Sequence, residues 1–243
     1  MTLPLLILVG ALLAGGPGNT EPARSPGPWV EAAVVFDERG DRQLVGRMRA
    51  LAEACPTGGF RLIERGPDGE QLLAVGVEAA AYAPDGAILF VEGDGLYELA
   101  QGEPRHLARG VGPDFAIDPT GKLIAVVRPA EPPASAIALI DRDGGAVRTL
   151  VEARGWNGLP LFTPDGASLV FSSTRTGLQS LFRVKLKGGE PEQLTNVGIQ
   201  SPAAPGFIPP AETRRSLVFE GPRLLLLNAE GRVWEINLET GRA

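Results

Sequence analysis

The stretch LFTPDGASLVFSSTRTGLQSLFRVKLKGGEPEQLT, residues 161–195, decides how the rest of the chain is interpreted. It contains a Pro-Asp-Gly turn, a run of β-forming residues, a polar loop, a second such run and a Gly-Gly-Glu-Pro break. Proline presets φ in such a turn and glycine accepts a positive φ, so each apolar run is predicted to be a strand bounded by turns. The Ser/Thr/Arg loop at 172–177 could be a small active site, or the whole stretch could be one copy of a structural repeat.

The same order of features occurs twice more upstream, which favours a repeat. Residues 82–108 carry an aromatic residue before Pro84, Asp85 and Gly86, and they end in a Gly-Glu-Pro break. Residues 115–151 keep the order of aromatic residue, proline and glycine. The prolines at 84, 119 and 164 lie 35 and 45 residues apart. A period of about 40–45 residues with four short strands is typical of one β-propeller blade, whose faces are covered by stacking on its neighbours.

Two less regular units flank these three. Residues 207–241 form a weaker copy, and residues 60–76 resemble the second half of an earlier one. The predicted fold is therefore all-β, a propeller of about five four-stranded blades.

Residues 161–195 resemble the TolB-like β-propeller repeat in their aromatic before Pro-Asp-Gly, Phe-Ser-Ser strand, Arg/Gly loop and Gly-Gly-Glu-Pro turn. The resemblance is clear over residues 82–197 and implies the architecture more than the function. Similar propellers occur in the periplasmic TolB protein and in the non-catalytic half of prolyl oligopeptidase-like enzymes. TolB places a sizeable α/β domain before its propeller, whereas here only residues 29–55 precede the first recognisable unit.

Two structures are predicted within residues 29–55. Asp41 can cap a short helix near residues 41–54. That helix would place one apolar face on Leu44, Val45, Met48, Leu51, Ala52 and Cys55. Residues 29–36 could instead pair with the C-terminal strands and so close the ring as part of the last blade.

The N-terminal residues indicate export. Residues 1–20 hold an apolar run followed by small residues, which is typical of a signal peptide or another N-terminal hydrophobic segment, although no basic residue precedes the run. Residues 21–28 are predicted to be a linker and residues 29–243 the propeller. The predicted location is periplasmic or secreted, with no integral membrane span beyond the N-terminal segment.

Composition excludes several kinds of site. The 23 Lys and Arg against 29 Asp and Glu give a net charge of −6 with no basic stripe, so nucleic-acid binding is not predicted. Cys55 and His106 are the single cysteine and histidine, which argues against a disulfide and against a zinc site. The sequence DRDGG at 141–145 lacks the further ligands of a calcium loop and favours a hairpin turn. No metal or cofactor is predicted.

No catalytic residue is assigned. The Gly-x-Ser-x-Gly elbow of a serine hydrolase is absent from the sequence. The repeat alignment places His106 in the outer strand of its unit, at the position that Gln193 occupies in the copy at 161–195. Cys55 is assigned to core packing, and the carboxylates at turns form no evident pair.

Trp156 and Arg175 are the two candidate binding residues. Trp156 lies in a connection between blades, where it could bind a ligand or pack between blades. Arg175 lies in the polar loop, where it could bind a ligand or bridge to a neighbouring blade. The predicted function is a non-catalytic secreted or periplasmic module that binds a protein partner in the cell envelope, as TolB does in the Tol–Pal system. The alternative is a propeller-type hydrolase or a substrate-binding subunit acting on peptides or glycans.

Overall fold

The computed structural model of the chain describes residues 29–51, 59–99, 102–144, 147–177, 179–195, 217–221, 223–227 and 233–237. These residues form β-strands joined by turns, and none of them lies in a helix. The strands are β1 (Trp29–Arg39), β2 (Arg42–Leu51), β3 (Phe60–Gly66), β4 (Gly69–Tyr82), β5 (Ile88–Glu92), β6 (Gly95–Leu99), β7 (Pro104–Arg109), β8 (Phe115–Ile117), β9 (Leu123–Pro129), β10 (Ser135–Asp141), β11 (Val147–Val151), β12 (Asn157–Phe162), β13 (Ser168–Ser173), β14 (Ser180–Lys185), β15 (Glu192–Gln193), β16 (Leu217–Glu220), β17 (Arg223–Leu227) and β18 (Val233–Ile236).

The described strands pair into four antiparallel sheets. The first sheet contains β1 to β7, the second β8 to β11, the third β12 to β15 and the fourth β16 to β18. Strands that follow each other in the chain are neighbours in every sheet, as short connections favour. The all-β fold class predicted from the repeat is confirmed.

The stretch 161–195 forms most of the third sheet, as predicted. Its run SLVFSS is β13, which pairs with β12 on one side and with β14 on the other. In the Pro-Asp-Gly turn before β13, the Gly166 N–H donates to the Thr163 carbonyl over 2.8 Å. Gly166 has a φ of 66°, which glycine tolerates best, so the turn depends on this residue.

Strand β4 is longer than the repeat predicts, and it serves two units. Its first part pairs with β3, whereas its last part pairs with β5. Between the two parts, Gly76 has a φ of 77°, and a Cβ on Gly59 would lie 2.1 Å from the Gly76 carbonyl carbon. The first two units therefore share one seven-stranded sheet. The count of about five blades stays a prediction.

Apolar side chains fill the spaces between successive sheets. Ile124 of β9 packs in the cluster with Leu89 of the first sheet, whereas the next residue, Ala125, packs in the cluster with Phe171 of the third sheet. Val170 faces the other way and joins the cluster with the fourth sheet. Successive side chains of a strand point to opposite faces, so both faces of the second and third sheets are buried. This is the stacking that the repeat predicts.

The prediction of a helix near residues 41–54 is wrong for the residues that the structure describes. Arg42–Leu51 is the strand β2, which pairs with β1 and with β3. Asp41 does not cap a helix, because it lies with Gly40 in the tight turn of the β1–β2 hairpin.

Gly46 gives the physical reason for the strand. A Cβ at this position would lie 2.6 Å from a ring carbon of Phe36, so the Phe36 ring packs directly on the backbone of β2. Glycine inside a helix costs about 1 kcal/mol relative to alanine, whereas inside a strand it marks such a close approach. The helix was predicted because the spacing of Leu44, Val45, Met48 and Leu51 fits one face of a helix. In β2 the adjacent residues Leu44 and Val45 are instead buried on the two opposite faces of a strand.

Residues 29–36 do not complete the last sheet among the described strands. They belong to β1, which pairs with β2 from Trp29 to Arg39 with one register shift between Val35 and Asp37. A turn at Gly40, with a φ of 61°, connects these two segments directly, and closing so short a loop costs little entropy. β1 is the edge strand of the first sheet, and the predicted pairing of this segment with the C-terminal strands is not formed with any strand that the structure describes.

Several predictions lie outside the described residues. They are the signal peptide or hydrophobic segment at 1–20, the linker at 21–28, and the placement of Ala52 and Cys55. Across the part of the chain that is described, there is no helix with the length and apolar character needed to cross a membrane.

Candidate functional site

The turns that begin the second strand of each unit carry short polar side chains that hold the turn together. The Asp118 carboxylate accepts from the Thr120 N–H and the Leu123 N–H, over 3.1 and 2.7 Å. In the third sheet the Thr163 hydroxyl bonds to the Asp165 carboxylate over 2.5 Å, and the Ser168 N–H donates to the same hydroxyl. Such local bonds are typical of Asp and Thr in turns, so these residues fix backbone shape.

A polar cleft of about 660 Å³ opens between the first and second sheets, beside two of these turns. We call it the ion-pair cleft. It is lined by Asp85, Gly86, Ala87, Glu98, Arg105, Thr120, Gly121, Lys122, Arg142 and Asp143.

Glu98 and Arg142 form the buried base of the ion-pair cleft. Their side chains are 5% and 10% exposed. Arg142 Nε and Nη2 both donate to Glu98 Oε1, over 3.0 and 2.5 Å, and Arg105 Nη2 donates to Glu98 Oε2. Arg142 Nη1 also donates to the Gly121 carbonyl over 3.1 Å, and its Nη2 lies 2.8 Å from Asp85 Oδ2. Glu98 is on β6 and Arg142 follows β10, so this network ties the first sheet to the second.

The network keeps its carboxylates ionised. Burial raises the pKa of Glu98, but hydrogen bonds from Arg105 and Arg142 outweigh burial and bring that pKa below its ordinary value of 4.5. Burial likewise raises the pKa of Asp85, and hydrogen bonds from Arg142 and the Ala87 N–H outweigh it. Glu98 is therefore a carboxylate at neutral pH and holds no proton to give to a substrate.

This lowered pKa predicts how stability depends on pH. A carboxylate whose pKa is lower in the folded state contributes stability above its unfolded pKa and loses it as the pH falls through the folded value. Glu98→Gln should lower the free energy of unfolding by about 2 kcal/mol at pH 7. The gap should begin to close as the pH falls below 4.5, where Glu98 of the unfolded chain takes up a proton, and should be lost as the pH falls through the lower pKa of folded Glu98. Urea unfolding of both proteins between pH 7 and pH 3 measures the gap, and a gap independent of pH would contradict the assignment.

This network was not predicted from the sequence, although the repeat contains an oppositely charged pair of residues at equivalent positions in two units. Glu98 pairs across the strands with Arg105, and at the equivalent positions of the third sheet Arg183 pairs with Glu192. The same cross-strand ion pair is therefore present in both units with its charges exchanged. Arg183 and Glu192 are 29% and 60% exposed, whereas Glu98 is buried. Arg142 bonds to Glu98 in the cleft and has no counterpart in the third sheet's pair as described. It lies in the DRDGG segment that was predicted only as a turn. The segment does form that turn, since the Asp143 N–H donates to Asp141 Oδ1 over 3.1 Å.

The structure brings Trp156 and Arg175 to the same end of the third sheet. The Trp156 N–H donates to Thr174 Oγ1, and the Thr174 N–H donates to the Trp156 carbonyl, both over 3.0 Å. Both candidate residues are half-buried. Arg175 bonds within its own sheet, to Ser173 and Asn157, and to no other sheet among the described residues. Neither residue lines the ion-pair cleft.

The remaining polar candidates are not assembled into a catalytic group. Ser172 and Ser173 are fully buried, and their hydroxyls accept from Gln179 and Arg175. His106 lies on the outer strand β7, exposed and with its ring edge-on to Tyr97 at 5.3 Å between centroids. In the described residues, no group of three or more His, Cys, Asp or Glu is placed to hold a metal ion.

At the level of sequence, the chain resembles known proteins over a short segment. No family model matches the chain. An uncharacterized protein of Agrobacterium fabrum is 35% identical over 57 residues, which is 24% of this chain. The chain thus spans about a fifth of that relative's length, since the matched segment is 20% of it.

Solved structures match over much more of the chain. TolB from Acinetobacter baumannii matches with a TM-score of 0.57 at 13% identity, covering 88% of this chain and 67% of that one. An oligogalacturonate lyase in complex with manganese gives a TM-score of 0.60 at 14% identity, covering 88% and 67%. A nidogen–laminin complex gives 0.56 at 14% identity, covering 74% and 72%. Likenesses at such low identity concern the fold and not the function. In its fold, the chain is a TolB-like β-propeller.

Proposed function

We propose that this chain is a non-catalytic binding module of the cell envelope, which holds a protein partner at the ion-pair cleft. The observation that carries the proposal is the buried Glu98, whose two carboxylate oxygens are taken by Arg142 and Arg105. A general acid needs a proton to give, and a nucleophile needs a free lone pair. Glu98 has no proton to give at neutral pH, and both of its oxygens already accept hydrogen bonds from arginine, so the base of the cleft is suited to support the surface rather than to react.

The exposed rim of the cleft is suited to contact another protein. Asp85, Lys122 and Asp143 are exposed, and the Arg105 side chain is 51% exposed. These groups carry both signs of charge and belong to two sheets that the buried network holds together, Arg105 on strand β7 and the other three on turns. Rigid, polar and mixed-charge rims favour specific association through complementary charges.

The matched structures support a binding role without specifying it. The fold is shared with a chain of a nidogen–laminin complex and with TolB, and the resemblance to TolB suggests a role like that of TolB in the Tol–Pal system. Export to the periplasm or beyond the cell is part of the proposal, and it rests on the apolar segment at residues 1–20. N-terminal sequencing of the chain recovered from its native host tests it, since export with processing predicts a first residue between 14 and 21.

Capture and titration of the partner test the binding role. The full-length chain, tagged at its C-terminus, is recovered from native envelope extract, and the captured protein is purified and titrated. Lys122→Glu with Asp143→Lys reverses two rim charges and leaves the net charge unchanged. It should weaken binding about tenfold or more, because like charges then face each other at the interface. Lys187→Glu with Asp68→Lys is the matched control on exposed residues outside the cleft, and it should bind as the wild type does.

Two results would contradict the proposal. If no captured protein binds saturably, the binding role is wrong. If the rim variant binds as tightly as the control variant, the cleft is not the contact surface.

One observation favours the enzymatic alternative, in which the propeller hydrolyses or binds peptides or glycans. The cleft of about 660 Å³ has the size of a small-molecule site, and an oligogalacturonate lyase has the same fold. A broad panel of peptide and glycoside substrates should show no turnover above background. Turnover that disappears in Glu98→Gln or His106→Ala would establish the alternative in place of the non-catalytic role.

A further inference from the structure

Arg175 is a half-buried cation without a carboxylate partner among the described residues. Its guanidinium carbon lies 5.2 Å from the ring centroids of both Phe171 and Phe182. These rings belong to the core cluster between the second and third sheets, so the guanidinium covers the edge of that core. The other deeply placed arginine, Arg142, has two carboxylate partners.

The guanidinium of Arg175 is held in one orientation. Its Nε donates to Ser173 Oγ over 3.1 Å, and its Nη2 donates to Asn157 Oδ1 over 3.0 Å. Asn157 is fully buried and is itself fixed, because its N–H donates to Ser135 Oγ over 2.7 Å. Nη1 bonds to no acceptor in the described residues, which leaves one terminal nitrogen of a fixed planar group for a ligand.

The electrostatic surroundings of Arg175 favour an added anion. Burial lowers the pKa of Arg175, and the positive charge of Arg154 lowers it further, while Glu190 opposes both. Glu190 attracts Arg175 without an ion pair or hydrogen bond. Arg154 is exposed, and its side chain bonds to no described residue. Removing a cation from water without a counter-charge is unfavourable, so an anion bound here would recover that loss.

We propose that Arg175, together with Arg154, forms a binding site for a carboxylate group. A carboxylate matches the planar guanidinium, because one oxygen can accept from Nη1 and the other from the second N–H of Nη2, whose first N–H donates to Asn157. The Trp156 backbone lies beside this loop through its bonds with Thr174, and its indole ring packs on the backbone of Gly158. The carboxylate can come from a free organic acid or from an acidic side chain of a peptide.

This site is separate from the ion-pair cleft. Arg175 lies in the loop between β13 and β14, the second and third strands of their sheet. The cleft is built from the β4–β5 and β8–β9 turns, from Arg142 and Asp143 after β10, and from Glu98 and Arg105 on the paired strands β6 and β7. In antiparallel sheets these loops lie at opposite ends of the strands. The carboxylate site therefore does not depend on the function proposed for the cleft.

Titration followed by ¹⁵N spectra of the arginine Nε–H groups tests the site on the full chain. The probes are succinate and an acetylated Glu-Gly-Glu peptide amide, with succinamide and the Gln-Gly-Gln peptide as uncharged counterparts at constant ionic strength. The Arg175 Nε–H resonance should shift saturably with succinate, with the acidic peptide or with both, and not with the uncharged counterparts. The tighter of the two charged probes identifies the source of the carboxylate.

Three variants locate the site. Arg175→Gln should weaken binding about tenfold or more, because a charge-assisted hydrogen bond contributes at least about 1.5 kcal/mol. Arg154→Gln should weaken it about threefold through the loss of a nearby exposed charge. Lys187→Gln removes one exposed positive charge elsewhere and should leave binding unchanged. If Arg175→Gln does not fold, the resonance shift and the Arg154→Gln variant still decide. The proposal is overturned if no probe gives a saturable shift, or if Arg154→Gln and Lys187→Gln behave alike.

Discussion

Replacing Arg142 by methionine is expected to lower the free energy of unfolding by about 3 kcal/mol, because it leaves the Glu98 carboxylate buried without its main partner. The Glu98 side chain is 5% exposed, so water cannot replace the lost hydrogen bonds. Arg105 still pairs with Glu98, and for that reason the expected loss lies at the lower end of the range for buried ion pairs. Urea unfolding at pH 7 measures the change.

The charge-exchanged pair in the third sheet supplies the control for this prediction. Arg183→Met breaks the pair with Glu192, which is 60% exposed, and should cost less than about 1 kcal/mol. The double variant Glu98→Leu with Arg142→Met removes both buried charges and should recover most of the stability that Arg142→Met loses. A loss for Arg142→Met no greater than that for Arg183→Met would show that the buried network does not join the sheets as described.

The second large effect is expected from Phe171→Ala, which should lower the free energy of unfolding by about 4 kcal/mol. Phe171 is fully buried between the second and third sheets and stacks on Phe182 with ring centroids 5.9 Å apart. Alanine leaves a cavity that the paired strands on either side cannot close. It also removes one of the two rings under the Arg175 guanidinium.

An exposed apolar residue provides the comparison for Phe171. Leu72 on β4 is 48% exposed, and Leu72→Ala should change the free energy of unfolding by less than about 0.5 kcal/mol. Both variants are measured by urea unfolding, with m-values compared to confirm that the same surface unfolds. Similar small losses for Phe171→Ala and Leu72→Ala would contradict the stacking of sheets through this core cluster.

The fold was predictable from sequence where turn chemistry and alternation agree. The Pro-Asp-Gly turn before β13 and the runs SLVFSS and SLFRVK were all recognisable, because proline and glycine limit the backbone locally. The segment Arg42–Leu51 was not, because two adjacent buried residues, Leu44 and Val45, fit a helix face as well as a strand buried on both sides. The glycine at position 46 was the signal to weigh more heavily.

The candidate sites were less predictable than the fold because they depend on packing between units. Glu98 and Arg142 are 44 residues apart in the chain, and only the stacking of the first sheet on the second brings them together. The sequence placed Trp156 in a connection and Arg175 in the polar loop, but it could not show that Thr174 links the two segments. It also could not show that Arg175 has no carboxylate partner in the described part of the chain.

We propose that the ion-pair cleft is the surface that contacts a protein partner. Site-specific photocrosslinking in the native host tests it most directly, with p-benzoylphenylalanine placed at Lys122 on the cleft rim and, as control, at Val75, which is 56% exposed on β4 outside the cleft. We expect a discrete crosslinked product from position 122 that is absent from position 75 and that disappears when Asp143→Lys is added. No product at position 122, or the same product from both positions, would contradict it.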